Sequence, residues 1–187
     1  MTIQWMSFNW KRVLQNRTKT DYFVLHHRAG DGNLDSIHTQ HISQGYSGIG
    51  YHFYIRKNGE IFSGRPLNKV GAHCLDYNNV SIGICFEGNF EIEKTTPEQI
   101  KSGQELIKYL WGIYPNAKVV GHKDLNATAC PGKNFDINLF KGDATMTVDE
   151  AVKIIIEKSK LEQKSIDFLL CYKYGEELVK KLAKAMV

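Results

Sequence analysis

The stretch that most constrains this chain is Val80-Ser-Ile-Gly-Ile-Cys-Phe86, which is apolar at both odd and even positions. Successive side chains of an extended segment point to opposite sides, so such a strand needs cover on both faces and belongs in the interior of a sheet. Tyr22-Phe-Val-Leu-His26 is a second apolar run, between the polar residues 18–21 and Gly30-Asp-Gly32, and reads as a buried strand ending at a loop. Residues 34–43 form a short helix closed by Gly45. Gly50-Tyr-His-Phe-Tyr-Ile-Arg56 alternates, and Asn58-Gly59 then marks a type I′ hairpin leading into Ile61-Phe62. Thr96-Pro97-Glu98-Gln99 is a capping box with proline at the first helical position. It opens a helix to about Ile113 with Ile100, Leu106, Ile107 and Leu110 inward. After the Pro115-Asn116 break, residues 118–121 form a short strand. Strands interleaved with helices predict an α/β domain, a mixed central β-sheet flanked by helices.

Beyond Gly142 the pattern changes. Residues 142–145 are the expected linker, and Thr147-Val-Asp-Glu150 is a second capping box. Helical stretches are expected at 148–160 and 165–185, with Val152, Ile155, Ile156, Leu178, Leu182 and Met186 at helical spacing. The chain is therefore read as a domain at 1–143 and a small helical appendage at 144–187. The appendage is either a wall-binding or dimerising module, or a hairpin that completes the core of the first domain.

Charge narrows the partners. The formal net charge is +4, with lysines and arginines scattered rather than striped among aromatics, so a nucleic-acid partner is not expected. No apolar run approaches the roughly 20 residues that span a bilayer, and the first ten residues lack a basic region leading into an apolar one. The expectation is synthesis in the cytoplasm without a signal peptide or membrane insertion, and action on an outside substrate only after release. Cys74, Cys85, Cys130 and Cys171 are too widely spaced for a small disulfide framework.

The chemistry lies among seven histidines and one of these cysteines. His26-His27 ends the apolar strand, and only one of the pair can face a given site. Gly121-His122 is followed eight positions later by Cys130-Pro131-Gly132 across a polar loop. In Gly50-Tyr51-His52-Phe53, alternation puts Tyr51 and Phe53 on one face and His52 on the other. Two imidazoles and a thiolate suit zinc, and three protein ligands with an open fourth position are the catalytic rather than the structural arrangement. Zinc in such a site activates water for amide hydrolysis.

Val24-Leu-His-His27, Gly48-Ile-Gly-Tyr-His-Phe53, Lys57-Asn-Gly-Glu60, Gly71-Ala-His73, Tyr77-Asn78, Ser81-Ile-Gly-Ile84 and Gly121-His122…Cys130-Pro-Gly132 occur in this order. Together they resemble the zinc N-acetylmuramoyl-L-alanine amidases shared by phage endolysins and animal peptidoglycan recognition proteins, over roughly residues 20–140. Phe86-Glu-Gly-Asn-Phe90 is most similar to clostridial and phage lytic enzymes. The resemblance implies a zinc ion held by His26, His122 and Cys130, a catalytic Tyr51, and a substrate-contacting His73. It implies bacterial peptidoglycan as partner, and leaves the oligomeric state open. Many members carry lysine two positions before the cysteine; Thr128 stands here and would be a weaker, neutral donor. Glu87 is read either as orienting a ligand's second nitrogen or, in preference, as pairing with a surface cation. Three other readings remain: a peptidoglycan receptor without catalysis, a cysteine hydrolase built on Cys130 and His122, and a structural zinc protein.

Overall fold

The structure, a computed structural model, describes residues 1–141, 148–171 and 175–186. The expected linker at 142–145 and the capping box opening at Thr147 lie outside the described residues. The chain divides into two compact units, Met1–Gly142 and Asp143–Val187.

The first unit is built on six strands: β1 (Ile3–Gln4), β2 (Tyr22–His27), β3 (Phe53–Ile55), β4 (Ile61–Ser63), β5 (Ser81–Phe86) and β6 (Lys118–Gly121). Their order is β1-β4-β3-β5-β2-β6, and every pairing is parallel except β3 with β4. This is the expected mixed sheet. β5 lies inside it between β3 and β2, with all six residues buried, because both its faces are covered. On one face, Phe23, Leu25, Phe53, Ile55, Ile82, Ile84 and Phe86 pack with Leu106, Ile107 and Leu110 of α2 (Pro97–Ile113). On the other, Tyr54 and Cys85 pack with Leu34 and Ile37 of α1 (Leu34–Ser43). The capping box of α2 is formed: the Thr96 hydroxyl accepts from the Gln99 amide, and the Gln99 side chain accepts from the Thr96 amide.

Two local expectations are corrected. The hairpin between β3 and β4 exists, but it does not turn as type I′, which needs positive φ at two central residues. Only Gly59 has positive φ (84°); Asn58 does not. The Gly59 amide donates to the Arg56 carbonyl and the Arg56 amide to the Glu60 carbonyl. That is a three-residue loop with glycine at the bulge position. Asn58 uses its side-chain oxygen to accept from the Glu60 amide instead of adopting a left-handed backbone. The alternation read across residues 50–56 also fails at its start, because the strand begins only at Phe53 and His52 sits in a bend. Tyr51 consequently packs with the α1-side cluster, whereas Phe53 lies in the α2-side core.

Among its described residues the second unit holds three helices, α3 (Val148–Ser159), α4 (Gln163–Leu170) and α5 (Gly175–Ala185), so the stretch expected as one helix at 165–185 holds two. Gly175 packs closely on the end of α4: a Cβ there would lie 2.1 Å from the Leu169 carbonyl oxygen. Ala151, Val152, Ile155, Ile166, Val179 and Ala183 form an apolar cluster of their own. Leu178, one of the apolar residues at helical spacing, is 45 % exposed, and its neighbour Val179 is in the cluster.

Candidate metal centre

The parallel pairing of β2 with β6 sets Leu25 beside Gly121, which brings the ends of the two strands together. His26 and His122 then follow with ring centroids 4.5 Å apart. Alternation separates the two histidines of β2. His26 is buried on the α1 side, while His27 turns away and accepts from the Phe90 amide at its Nδ1 (3.2 Å). After Gly121 the chain makes a short 3₁₀ turn, His122–Asp124, capped by the Asp124 carboxylate on the Gly121 amide. The Lys123 amide donates to the Cys130 carbonyl (2.8 Å), and this closes the loop so that Cys130 returns to the histidines.

One donor atom each from His26, His122 and Cys130 lie within 4.8 Å of one another, and this is the one such group of histidine, cysteine or acidic residues among the described residues. The His26 Nδ1 to Cys130 Sγ distance is 3.6 Å. Zinc–nitrogen and zinc–sulfur bonds at a tetrahedral angle put the two ligand atoms ~3.6 Å apart, so the donor set and this spacing both fit zinc. The second nitrogens are occupied elsewhere: His26 Nε2 lies 3.0 Å from His73 Nδ1, and His122 Nε2 lies 3.1 Å from the Asn126 side-chain oxygen. Burial, with neighbouring His122 and His27, drives His26 well below the usual imidazole range. Burial pushes the Cys130 thiol up to about 11. Both groups are therefore neutral without a cation, and metal binding must release the thiol proton.

The other residues singled out in the sequence surround this cluster. The Tyr51 ring is 5.2 Å from His26, and its hydroxyl pairs with the Cys85 thiol; burial holds the phenol protonated, well above its usual range. Thr128 is exposed, and its oxygen accepts from the Cys130 amide (3.2 Å), which leaves the hydroxyl proton to donate elsewhere. The His73 ring fits between two glycines: a Cβ on Gly83 or on Gly71 would stand 2.5 Å from it. The His73 and Cys74 amides both donate to the Asn78 side-chain oxygen, which fixes the loop that carries the ring. A cleft of about 590 Å³ runs past His41, Tyr46, Tyr51, His73, His122 and Thr128, and no carboxylate is among its described lining residues.

Glu87 takes no part in this centre. It is buried, accepts from the Lys57 amide (2.9 Å) and pairs with Arg56 at 3.6 Å. The cation partner is as expected, but the carboxylate is an interior group rather than a surface one. Sequence reasoning missed Asn126, whose only signal is its place four residues from both His122 and Cys130.

The N-acetylmuramoyl-L-alanine amidase family model matches residues 16–133. An endolysin of Enterobacteria phage K11 is 34% identical over 130 residues, covering 65% of this chain and 85% of that protein. Peptidoglycan-recognition protein SC1a of Drosophila melanogaster is 33% identical over 127 residues, covering 61% of this chain and 69% of its own length. Among solved structures, the endolysin N-acetylmuramoyl-L-alanine amidase from Clostridium intestinale superposes with a TM-score of 0.73 at 39% identity, covering 75% of this chain and 93% of that one.

Proposed function

The chain belongs to the N-acetylmuramoyl-L-alanine amidase family, and from that membership we propose that it is a zinc-dependent peptidoglycan hydrolase of the endolysin kind. Its reaction is cleavage of the amide between N-acetylmuramic acid and the L-alanine of the stem peptide. The observation that carries this reading is the convergence of His26, His122 and Cys130 beside an open cleft. His26, His122 and Cys130 would hold the zinc, which would supply an activated water and polarise the scissile carbonyl.

The chain's own groups supply the rest. His73 holds the ring of His26 and lines the cleft, where it meets substrate. Thr128 donates its hydroxyl hydrogen to the oxygen on which charge develops. Tyr51, kept protonated by burial, offers its hydroxyl hydrogen to the same oxygen, and Tyr51 or a water near His73 assists proton transfer to the leaving amine. A cleft whose described lining holds no carboxylate accommodates the neutral sugar and the acidic stem peptide without repulsion. A cysteine hydrolase is less well supported, since a thiol pushed up to about 11 is the opposite of an activated nucleophile. A receptor that only binds needs no three-ligand cluster at all.

Digestion of purified peptidoglycan tests the reading. New alanine amino termini without new reducing sugars are expected, with activity abolished by a zinc chelator and restored by zinc. Activity that survives chelation, or new reducing ends, would overturn it.

Residues 144–187 are proposed as a helical module, supported by the apolar cluster that α3, α4 and α5 bury among themselves. Its role is wall binding or dimerisation. A chain lacking residues 145–187 is expected to keep its melting transition and its hydrolysis of soluble fragments, while losing cosedimentation with cell walls or a dimeric mass in solution. Loss of the melting transition instead would make the segment part of the first domain's core. Among the described residues, no helix is long and apolar enough to cross a membrane.

A further inference from the structure

We propose that Asn126 is a positioning residue of the metal centre: it selects the His122 tautomer and ties the loop bearing both ligands to the opposite wall of the cleft. The proposal rests on the zinc reading above.

The Asn126 side-chain oxygen sits between two donors, His122 Nε2 at 3.1 Å and Cys74 Sγ at 3.0 Å, and its amide nitrogen donates to the Leu75 carbonyl at 3.3 Å. These three contacts fix the direction of the amide. Turned over, it would set N–H groups against His122 and Cys74 and an oxygen against a carbonyl. With an acceptor at Nε2, the neutral His122 ring carries its proton there, and Nδ1 keeps the lone pair that a metal requires. The backbone reinforces the arrangement, because the Asn126 amide donates to the His122 carbonyl at 3.0 Å. The side chain thus stands over the ring of the residue that begins its own turn.

The same contacts span the site. Cys74 and Leu75 belong to the loop carrying His73, whose Nδ1 meets the other nitrogen of His26. One wall of the cleft thereby reaches the second nitrogens of both histidine ligands, through His73 to His26 and through Asn126 to His122. Asn126 is not one of the three proposed ligands, His26, His122 and Cys130. Its contribution is to hold the direction of a ligand's lone pair.

Outer partners of metal-bound histidines are typically worth ~10–100-fold in metal affinity. Replacing Asn126 by alanine removes the acceptor, and by aspartate keeps it while losing the donor to Leu75. Zinc dissociation constants from chelator competition, with the His122 tautomer read by ring-nitrogen NMR in the zinc-free chain, distinguish the roles. Asn126→Ala is expected to weaken zinc by ~10–100-fold and to leave the His122 proton shared between its nitrogens. Asn126→Asp is expected to stay within a few-fold of the wild-type affinity and to keep the proton on Nε2. If Asn126→Ala does not fold, the aspartate variant decides, since weakening there as large as loss of the acceptor should cause sinks the proposal. Wild-type zinc affinity and an unchanged tautomer in Asn126→Ala also overturn it. A wild-type chain that binds no zinc overturns both this proposal and the zinc reading beneath it.

Discussion

A Cys130→Ser chain is expected to lose its zinc and its hydrolysis of peptidoglycan together, while its zinc-free form keeps its fold. Serine matches cysteine in shape, but its oxygen neither ionises near neutral pH nor offers the soft donor that favours zinc. Cys130 is only half-buried, and the bonds that hold it in place run through its backbone: its amide to Thr128 and its carbonyl to the Lys123 amide. The substitution leaves both bonds intact. A direct ligand is lost, so affinity and activity should each fall by more than the ~100-fold that loss of an outer partner costs. Metal content per chain, thermal melting in chelator and release of alanine amino termini are the three readouts. Full activity in a metal-free Cys130→Ser chain would remove zinc from the mechanism. Loss of hydrolysis with a full complement of zinc would instead make Cys130 the nucleophile.

How much of this centre can be read from the sequence depends on whether a residue's position follows from its own strand. Alternation along β2 is enough to send His26 and His27 to opposite sides, and the apolar run through Phe86 is enough to place β5 inside the sheet. Tyr51 shows the limit. Period-two counting from Phe53 puts it in the wrong layer, because the bend at His52 resets the direction before the strand begins. That bend is held by contacts distant in sequence: the His52 ring accepts from the Gly83 amide and pairs with the Lys69 carbonyl. Glu87 and the Cys74 contact of Asn126 are illegible for the same reason, since those partners are 30 and 52 residues away along the chain. The hairpin turn falls between these cases: Asn-Gly locates the reversal, but loop length decides which turn is made.

His52 also sets the second large effect, a loss of stability in acid. The ring is fully buried and neutral, with Nδ1 accepting from Gly83 and Nε2–H donating to the Lys69 carbonyl. The Arg17 guanidinium lies 3.1 Å from the same Nε2. Burial, then the charge of Arg17, lowers its pKa from 6.5 to about 3. Above pH 6.5 the ring is neutral in the folded and unfolded chain alike and contributes no pH dependence. Below that the unfolded chain takes up a proton that the folded chain refuses, so stability falls as the pH drops toward 3, by up to about 1.4 kcal/mol per pH unit. Over the whole window this one ring accounts for a loss on the order of 5 kcal/mol, comparable with the total stability of many domains. His41, lowered to about 4 mainly by burial, adds a shift of the same sign. Urea unfolding of the zinc-free chain between pH 7 and 4 should show the decline. His52→Gln, whose amide can accept from Gly83 and donate to Lys69 without titrating, should flatten it by up to about 1.4 kcal/mol per unit. An equal slope in both chains would mean that His52 takes up its proton without unfolding the protein, and would assign the acid sensitivity to other groups.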